Sequence, residues 1–123
     1  MNEKIIDFYT GYEGEGEIQF IHSTQTDQKI ILKIWDGFFD DIMEKIEPEV
    51  TGWTSLAYYY NLVKGWYEET PWEVPNIATA LQQLSKVKGA EFRFSQTQNV
   101  LDEICSLLES AVQSNNHILI ARE

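Results

Sequence analysis

The spacing of apolar side chains between residues 17 and 46 constrains this chain more than any other feature of its 123 residues. Ile18, Phe20 and His22 alternate with Glu17, Gln19 and Ile21. After a polar stretch, Ser23 to Gln28, the alternation resumes from Lys29 to Trp35, with Ile30, Leu32 and Ile34 on one face. A period of two sends successive side chains to opposite faces of a strand, so the two runs read as a hairpin. Ile31 and Trp35 fall on the other face of the second strand, which suits a strand covered on both sides. At Phe38 the period changes. Phe38, Phe39, Ile42, Met43 and Ile46 recur at helical spacing, with Asp36 placed to cap the helix and Pro48 to stop it.

The rest of the chain extends the same alternation of element types. Residues 4–10 are β-prone but short, and Gly11 to Glu17 alternates glycine with acid, a turn or loop. A second helix is expected from about Thr54 to Tyr67, with an unusually wide apolar face. Leu56, Tyr60, Val63 and Tyr67 form one stripe, and Tyr59, Leu62 and Trp66 a second. A third starts at Pro75, carries Ile77, Ala80, Leu81, Leu84 and Val87, and closes at Lys88-Gly89. Glu91 to Phe94 alternates as a short strand. Ser95 and Gln98 form a capping-box signature for a long helix to about Gln113, whose core face is Leu101, Ile104, Leu108 and Ala111. Asn115-Asn116 ends it, and His117 to Arg122 reads as an apolar strand. The expected fold class is α+β, with a largely antiparallel sheet of about five strands and about four helices in one domain, residues 1–123. The last strand-helix-strand unit should return the chain parallel by a right-handed crossover.

Charge limits the partners. Twenty acids oppose nine bases for a net charge of −11, and residues 1–75 hold fifteen of those acids against five bases. Such a field repels nucleic acid and anionic lipid and attracts basic proteins. Acidity that serves solubility alone is the plainer reading. The single cysteine, Cys105, allows no intrachain disulfide. Residues 1–7 carry no apolar stretch of signal-peptide length, and no apolar run approaches the roughly 20 residues of a membrane helix. A soluble, cytoplasmic protein is expected.

Catalytic and metal signatures are missing. No Gly-x-Ser-x-Gly, His-Glu-x-x-His or Gly-Lys-Ser/Thr pattern is present. His22 and His117 lie in expected strands and read as packed or surface residues, and Cys105 as a buried small hydrophobe. One cysteine and two distant histidines cannot build a zinc site by local spacing, and the Gly/Glu loop lacks the ligand spacing of a calcium loop. No metal and no cofactor are expected. Glu68, Glu69 and Glu73 beside Trp66, Tyr67 and Trp72 could serve a sugar site, but acids are abundant in this chain and a solvated helix end and loop is the plainer reading.

The acids of the first helix say more. Asp40, Glu44 and Glu47 share a face opposite Phe38, Ile42 and Ile46. Like charges three or four residues apart cost a helix roughly 0.2–0.5 kcal/mol per pair, partly offset at Asp40 by the helix dipole. A face kept acidic at that cost suits a basic partner, although an ordinary solvated face is also compatible. Trp53 to Trp72 holds three of the four tryptophans and four of the six tyrosines. Tyr58, Tyr59 and Tyr60 span roughly 200° of a helix and cannot all point inward. Exposed aromatics among carboxylates suit a protein interface.

Gly52-Trp53-Thr54-Ser55-Leu56, then Gly65-Trp66-Tyr67-Glu68-Glu69-Thr70-Pro71-Trp72-Glu73-Val74, then a leucine-rich helix and a helix leading to His117-Ile118-Leu119-Ile120-Ala121-Arg122-Glu123, resemble bacterial immunity proteins. These protect against contact-dependent growth inhibition toxins and related polymorphic toxins. The similarity covers roughly the C-terminal two-thirds and is a pattern of aromatics and element order. It implies a cytosolic, non-enzymatic protein that binds and neutralises the C-terminal domain of a cognate toxin. Many such toxins are nucleases, basic because they hold nucleic acid, and an acidic inhibitor imitates the phosphate backbone. The partner-binding candidates are Glu13, Glu15 and Glu17 of the loop, Asp40, Glu44 and Glu47 of the first helix, and Trp66, Tyr67, Glu68, Glu69, Trp72 and Glu73, of which at most two groups need contribute. A small-ligand or sugar-binding module built on the Trp53–Trp72 aromatics is the alternative and would show a deep ring-lined pocket. An enzyme using Glu68 or Glu73 would need two carboxylates facing across a cleft.

Overall fold

A computed structural model describes residues 2–23, 28–46, 72–74 and 76–122 of the chain. Five strands form one sheet: β1 (Asn2–Phe8), β2 (Glu17–Ser23), β3 (Gln28–Trp35), β4 (Trp72–Glu73) and β5 (Ile118–Arg122). β4 has only two residues, so four full strands carry the sheet. Three helices are described: α1 (Asp36–Met43), α2 (Ile77–Lys86) and α3 (Thr97–Ser114). The fold is α+β, as the change of period implies. The expected helix from Thr54 to Tyr67 lies outside the described residues.

The spatial order of the sheet is β1-β3-β2-β5-β4. β2 runs antiparallel to β3 and to β5, and β4 antiparallel to β5. β1 is parallel to β3, with Phe8 opposite Ile34. Because Glu17 lies opposite Trp35, the segment from Tyr9 to Gly16 must pass over the end of β3 to get from β1 to β2. The Gly/Glu loop is therefore a strap across the end of the sheet, and Gly11 and Gly14 take the positive φ (105° and 96°) that its turns require.

Ile18, Phe20 and His22 of β2 and Leu32 and Ile34 of β3 are buried on one sheet face. α1 and α3 pack on β2 and β3, and α2 packs on α3. Phe38, Phe39, Ile42, Met43 and Ile46 all reach the core, as do Leu101, Ile104, Leu108 and Ala111 of α3. Each such side chain removed from water contributes about 1.5–3 kcal/mol, so the helical stripes that were legible as spacing are also what holds the layers together.

Several local expectations are corrected. Glu91 to Phe94 forms no strand. The backbone N–H groups of Arg93 and Phe94 donate instead to the Asp41 carboxylate, at 3.0 and 3.2 Å, so the segment has its donors satisfied away from any sheet. The parallel pair accordingly joins β1 to β3, not the end of the chain, and Trp72–Glu73 supplies the fifth strand. Asp36 does not cap α1. Trp35 occupies the cap position, Asp36 is the first helical residue, and its N–H donates to the Gly16 carbonyl of the strap at 3.0 Å. The capping box at Ser95 does not form. Gln96 is the cap residue, while Gln98 Oε1 accepts from Gly89 N at 3.1 Å and Gln98 Nε2 donates to Asp102 at 3.1 Å. α2 begins at Ile77, two residues later than the Pro75 signal, with Asn76 as its cap accepting from Thr79 N at 3.3 Å. α3 ends as the Asn115-Asn116 pair suggests. Asn115 is left-handed at φ 58°, and Asn116 N donates to Ala111 O at 2.9 Å, a Schellman closure.

An acidic end built around an aromatic cluster

The strap is tied down from within. Asp7 accepts from Tyr9 N at 2.7 Å and Thr10 N at 3.0 Å, and also from the Thr10 hydroxyl. The Thr10 hydroxyl bond, with the two backbone bonds, holds the Asp7 carboxyl below its ordinary range. Tyr9 OH donates to Glu15 O at 2.6 Å. Tyr12 stacks on Trp35, with ring centroids 4.4 Å apart and planes within 6°. Phe38 meets both rings edge-on, at 5.5 Å from Tyr12 and 5.3 Å from Trp35. Trp35 therefore sits where strap, sheet and α1 meet.

This junction collects the acids. Glu13 Oε2 accepts from Gly11 N at 2.6 Å, Glu15 Oε1 from the Trp35 indole N–H at 3.1 Å, and Glu17 Oε2 from Gln19 Nε2 at 2.6 Å. A carboxylate has about four acceptor sites, so one internal bond orients each group and leaves it able to receive more donors. Along α1, Asp36, Asp40 and Glu44 recur every four residues, which places them in one stripe. Asp40 and Glu44 are exposed. The stripe starts where the strap's Gly16 carbonyl meets the Asp36 N–H, so the acids of the strap and the start of the helical stripe lie at the same end of the sheet. Glu44 Oε2 pairs with Arg93 Nη2 at 2.8 Å. Both side chains are well exposed, and such a pair contributes little to stability.

The residue that organises this end was not singled out among the candidates. Asp41 is buried at 2 % exposure. Besides the two backbone donors it accepts from the Thr97 hydroxyl at 2.7 Å. One carboxylate on α1 thus moors the turn before α3 and sets Phe94 against Trp35 (4.9 Å) and Phe38 (5.9 Å), edge-on in both cases. A signal did exist. Asp41 follows Phe38 by three residues and precedes Ile42, so it lies on the apolar stripe of its own helix, where an acid needs buried partners. Nothing local ties Phe94 to Trp35.

The other candidates fall elsewhere. Glu73, on β4, is three strand spacings from β3, roughly 14 Å at the usual separation, so the sheet does not bring it to the strap. Its Oε2 lies 3.1 Å from His117 Nδ1. Glu47, Trp66, Tyr67, Glu68 and Glu69 lie outside the described residues, as does the side chain of Trp72. A cleft of about 310 Å³ opens beside Glu73 and His117, between the start of α2 and the end of α3. The described residues that line it include no phenylalanine, tyrosine or tryptophan, and the side chains of Trp53 to Trp72, on which a ring-lined sugar site would rest, lie outside the described residues. Among the described residues no group of three His, Cys, Asp or Glu side chains could hold a metal ion, and no helix is long and apolar enough to cross a membrane.

His22 is buried at 2 % exposure on the core face of β2. Asn116 Nδ2 lies 3.3 Å from its Nε2, and its Nδ1 has no partner among the described residues. With the amide as donor, the ring proton resides on Nδ1. Burial pushes the imidazole pKa below its ordinary value, which keeps the ring neutral. Cys105 is buried on α3 at 2 % exposure, and burial, more than any neighbouring group, pushes its thiol pKa up.

The fold and site define a small α+β protein with an acidic, aromatic-centred end. No protein-family model, no curated protein and no solved structure matches the chain.

Proposed function

We propose that the chain is an immunity protein that binds a cognate, basic toxin domain in the cytoplasm and neutralises it by forming a stable complex, without catalysis. The toxin class that fits the charge is a nuclease, whose nucleic-acid site an acidic surface would occupy. The observation that carries this reading is the junction of the strap with α1. Glu13, Glu15 and Glu17 meet the Asp36-Asp40-Glu44 stripe there, around Trp35. Carboxylates already oriented by internal bonds lose little freedom on binding, and a net charge of −11 steers a basic protein toward them. The resemblance of the 52–74 segment and the C-terminal strand to immunity proteins supports the same reading.

The test is to search the neighbouring reading frame for a basic C-terminal toxin domain, to co-express that domain with the chain and to follow association by stopped flow. Steering requires the association rate to fall steeply, by about tenfold or more, as ionic strength rises past the range where the Debye length drops below ~10 Å. Glu13, Glu15 and Glu17 replaced together by Gln should slow association and leave dissociation less affected. No complex at micromolar concentration, or a rate indifferent to salt, refutes the proposal.

A further inference from the structure

Phe94 is one of three large apolar side chains exposed among the described residues, at 37 %. It is held from two sides. Its backbone N–H donates to Asp41, and its ring makes edge contacts with Trp35 and Phe38. An aromatic ring fixed in this way loses little conformational entropy when a partner covers it. Carboxylates flank it. Glu44 is bound to Arg93, its chain neighbour, and Glu15 is bound to the Trp35 indole on which Phe94 packs.

A fixed ring beside carboxylates favours one kind of group. A guanidinium can lay its plane on the ring while its N–H fork bonds a carboxylate; an ammonium is a hydrated point charge without that plane. The Arg93 guanidinium already meets a carboxylate at this spot, Nη2 to Glu44 Oε2 at 2.8 Å. We propose that Phe94, backed by Trp35, is the anchor of the partner interface, and that it receives an arginine side chain from the surface of a basic protein. The inference rests on the reading of the chain as a binder of a basic protein, and narrows it to a place and a residue type. Charge complementarity names the occupant: Glu44 is held by the chain neighbour of Phe94 and Glu15 by the Trp35 ring it packs on, whereas a second copy of the chain, also at −11, would be repelled.

The test titrates the whole protein by calorimetry with an oligo-arginine peptide and with an oligo-lysine peptide of equal length, at low salt. The wild type should prefer the arginine peptide about two- to fivefold, the range expected of an exposed cation–ring contact. Phe94→Leu keeps an apolar side chain against Trp35 but removes the ring, and should bind both peptides equally. Phe94→Ala should behave alike, with its melting curve confirming that it is folded. Arg93→Ala frees Glu44 and should tighten the arginine peptide. Equal binding of both peptides by the wild type, or a preference that survives in Phe94→Leu, overturns the anchor while leaving an acidic docking end intact. If neither peptide binds at low salt, both the anchor and the reading beneath it fail.

Discussion

Replacing Asp41 by Ala should destabilise the protein by about 3–5 kcal/mol, and the loss should concentrate in the turn that carries Phe94. Three donors converge on this carboxylate: Arg93 N at 3.0 Å, Phe94 N at 3.2 Å and Thr97 Oγ1 at 2.7 Å. Hydrogen bonds to an ionised group contribute roughly 1.5–3 kcal/mol each. The sum overstates the cost, because the two backbone donors are only partly buried and can recover water. Thr97 is fully buried and cannot, so its hydroxyl bears the full penalty of losing its partner. For a chain of 123 residues each kcal/mol moves the melting temperature by about 4 °C, so a fall of roughly 12–20 °C is expected. Asp41→Asn should cost about half as much, since it keeps the shape and one acceptor but turns an amide N–H toward a donor. Thermal melting by circular dichroism reads the global term, and amide exchange at Arg93 and Phe94 reads the local one. The double substitution with Thr97→Val should be less harmful than the two single effects added, by about 1 kcal/mol, because both remove the same bond. A melting temperature for Asp41→Ala within about 3 °C of wild type, too small for even one such bond, would refute the account of Asp41 as the mooring point.

Further expectations follow from the same packing. A methyl group at Gly37 would sit 2.5 Å from Trp35 Cζ2 and 2.6 Å from Cζ3, and the indole is held by Tyr12 and Phe38, so Gly37→Ala should cost about 1–3 kcal/mol and change the near-ultraviolet dichroism of Trp35. Burial holds the His22 imidazole below its ordinary pKa of 6.5. The unfolded chain therefore takes up the proton first: stability is full above about pH 6.5 and declines as the pH falls from there toward the folded pKa. Urea midpoints between pH 7.5 and 5 should show that slope, and His22→Leu should flatten it; an unchanged slope would reassign it to other groups. Cys105 should resist a thiol reagent at neutral pH in the native protein, with labelling that tracks unfolding. Prompt labelling would show that the α3–core packing opens far more readily than its burial implies.

The candidate site was half legible. Glu13, Glu15, Glu17, Asp40 and Glu44 stood out as charge on a loop and on a helix face, and the structure puts those two groups beside each other at one end of the sheet. Glu73 stood out equally and lies across the sheet with His117. The ring cluster at the acidic end, Tyr12, Trp35, Phe38 and Phe94, was not legible, because its members come from separate segments of the chain; the side chains of Trp53 to Trp72 lie outside the described residues. Glu91 to Phe94 looked like a strand because Phe92 and Phe94 alternate with Glu91 and Arg93, but that alternation records only side-chain polarity.

The sequence alone determined the period of each element: the β2–β3 hairpin, the apolar faces of α1, α2 and α3, the glycine-rich turn and the final strand. It did so because the chain's local geometry fixes which neighbours along it share a face. Only the tertiary structure decided that β1 lies parallel to β3, that the turn becomes a strap over Trp35, and that Asp41 holds the backbone of residues 93 and 94. Those choices depend on where buried donors and acceptors find partners, and a carboxylate more than fifty residues away in sequence leaves no mark on local spacing.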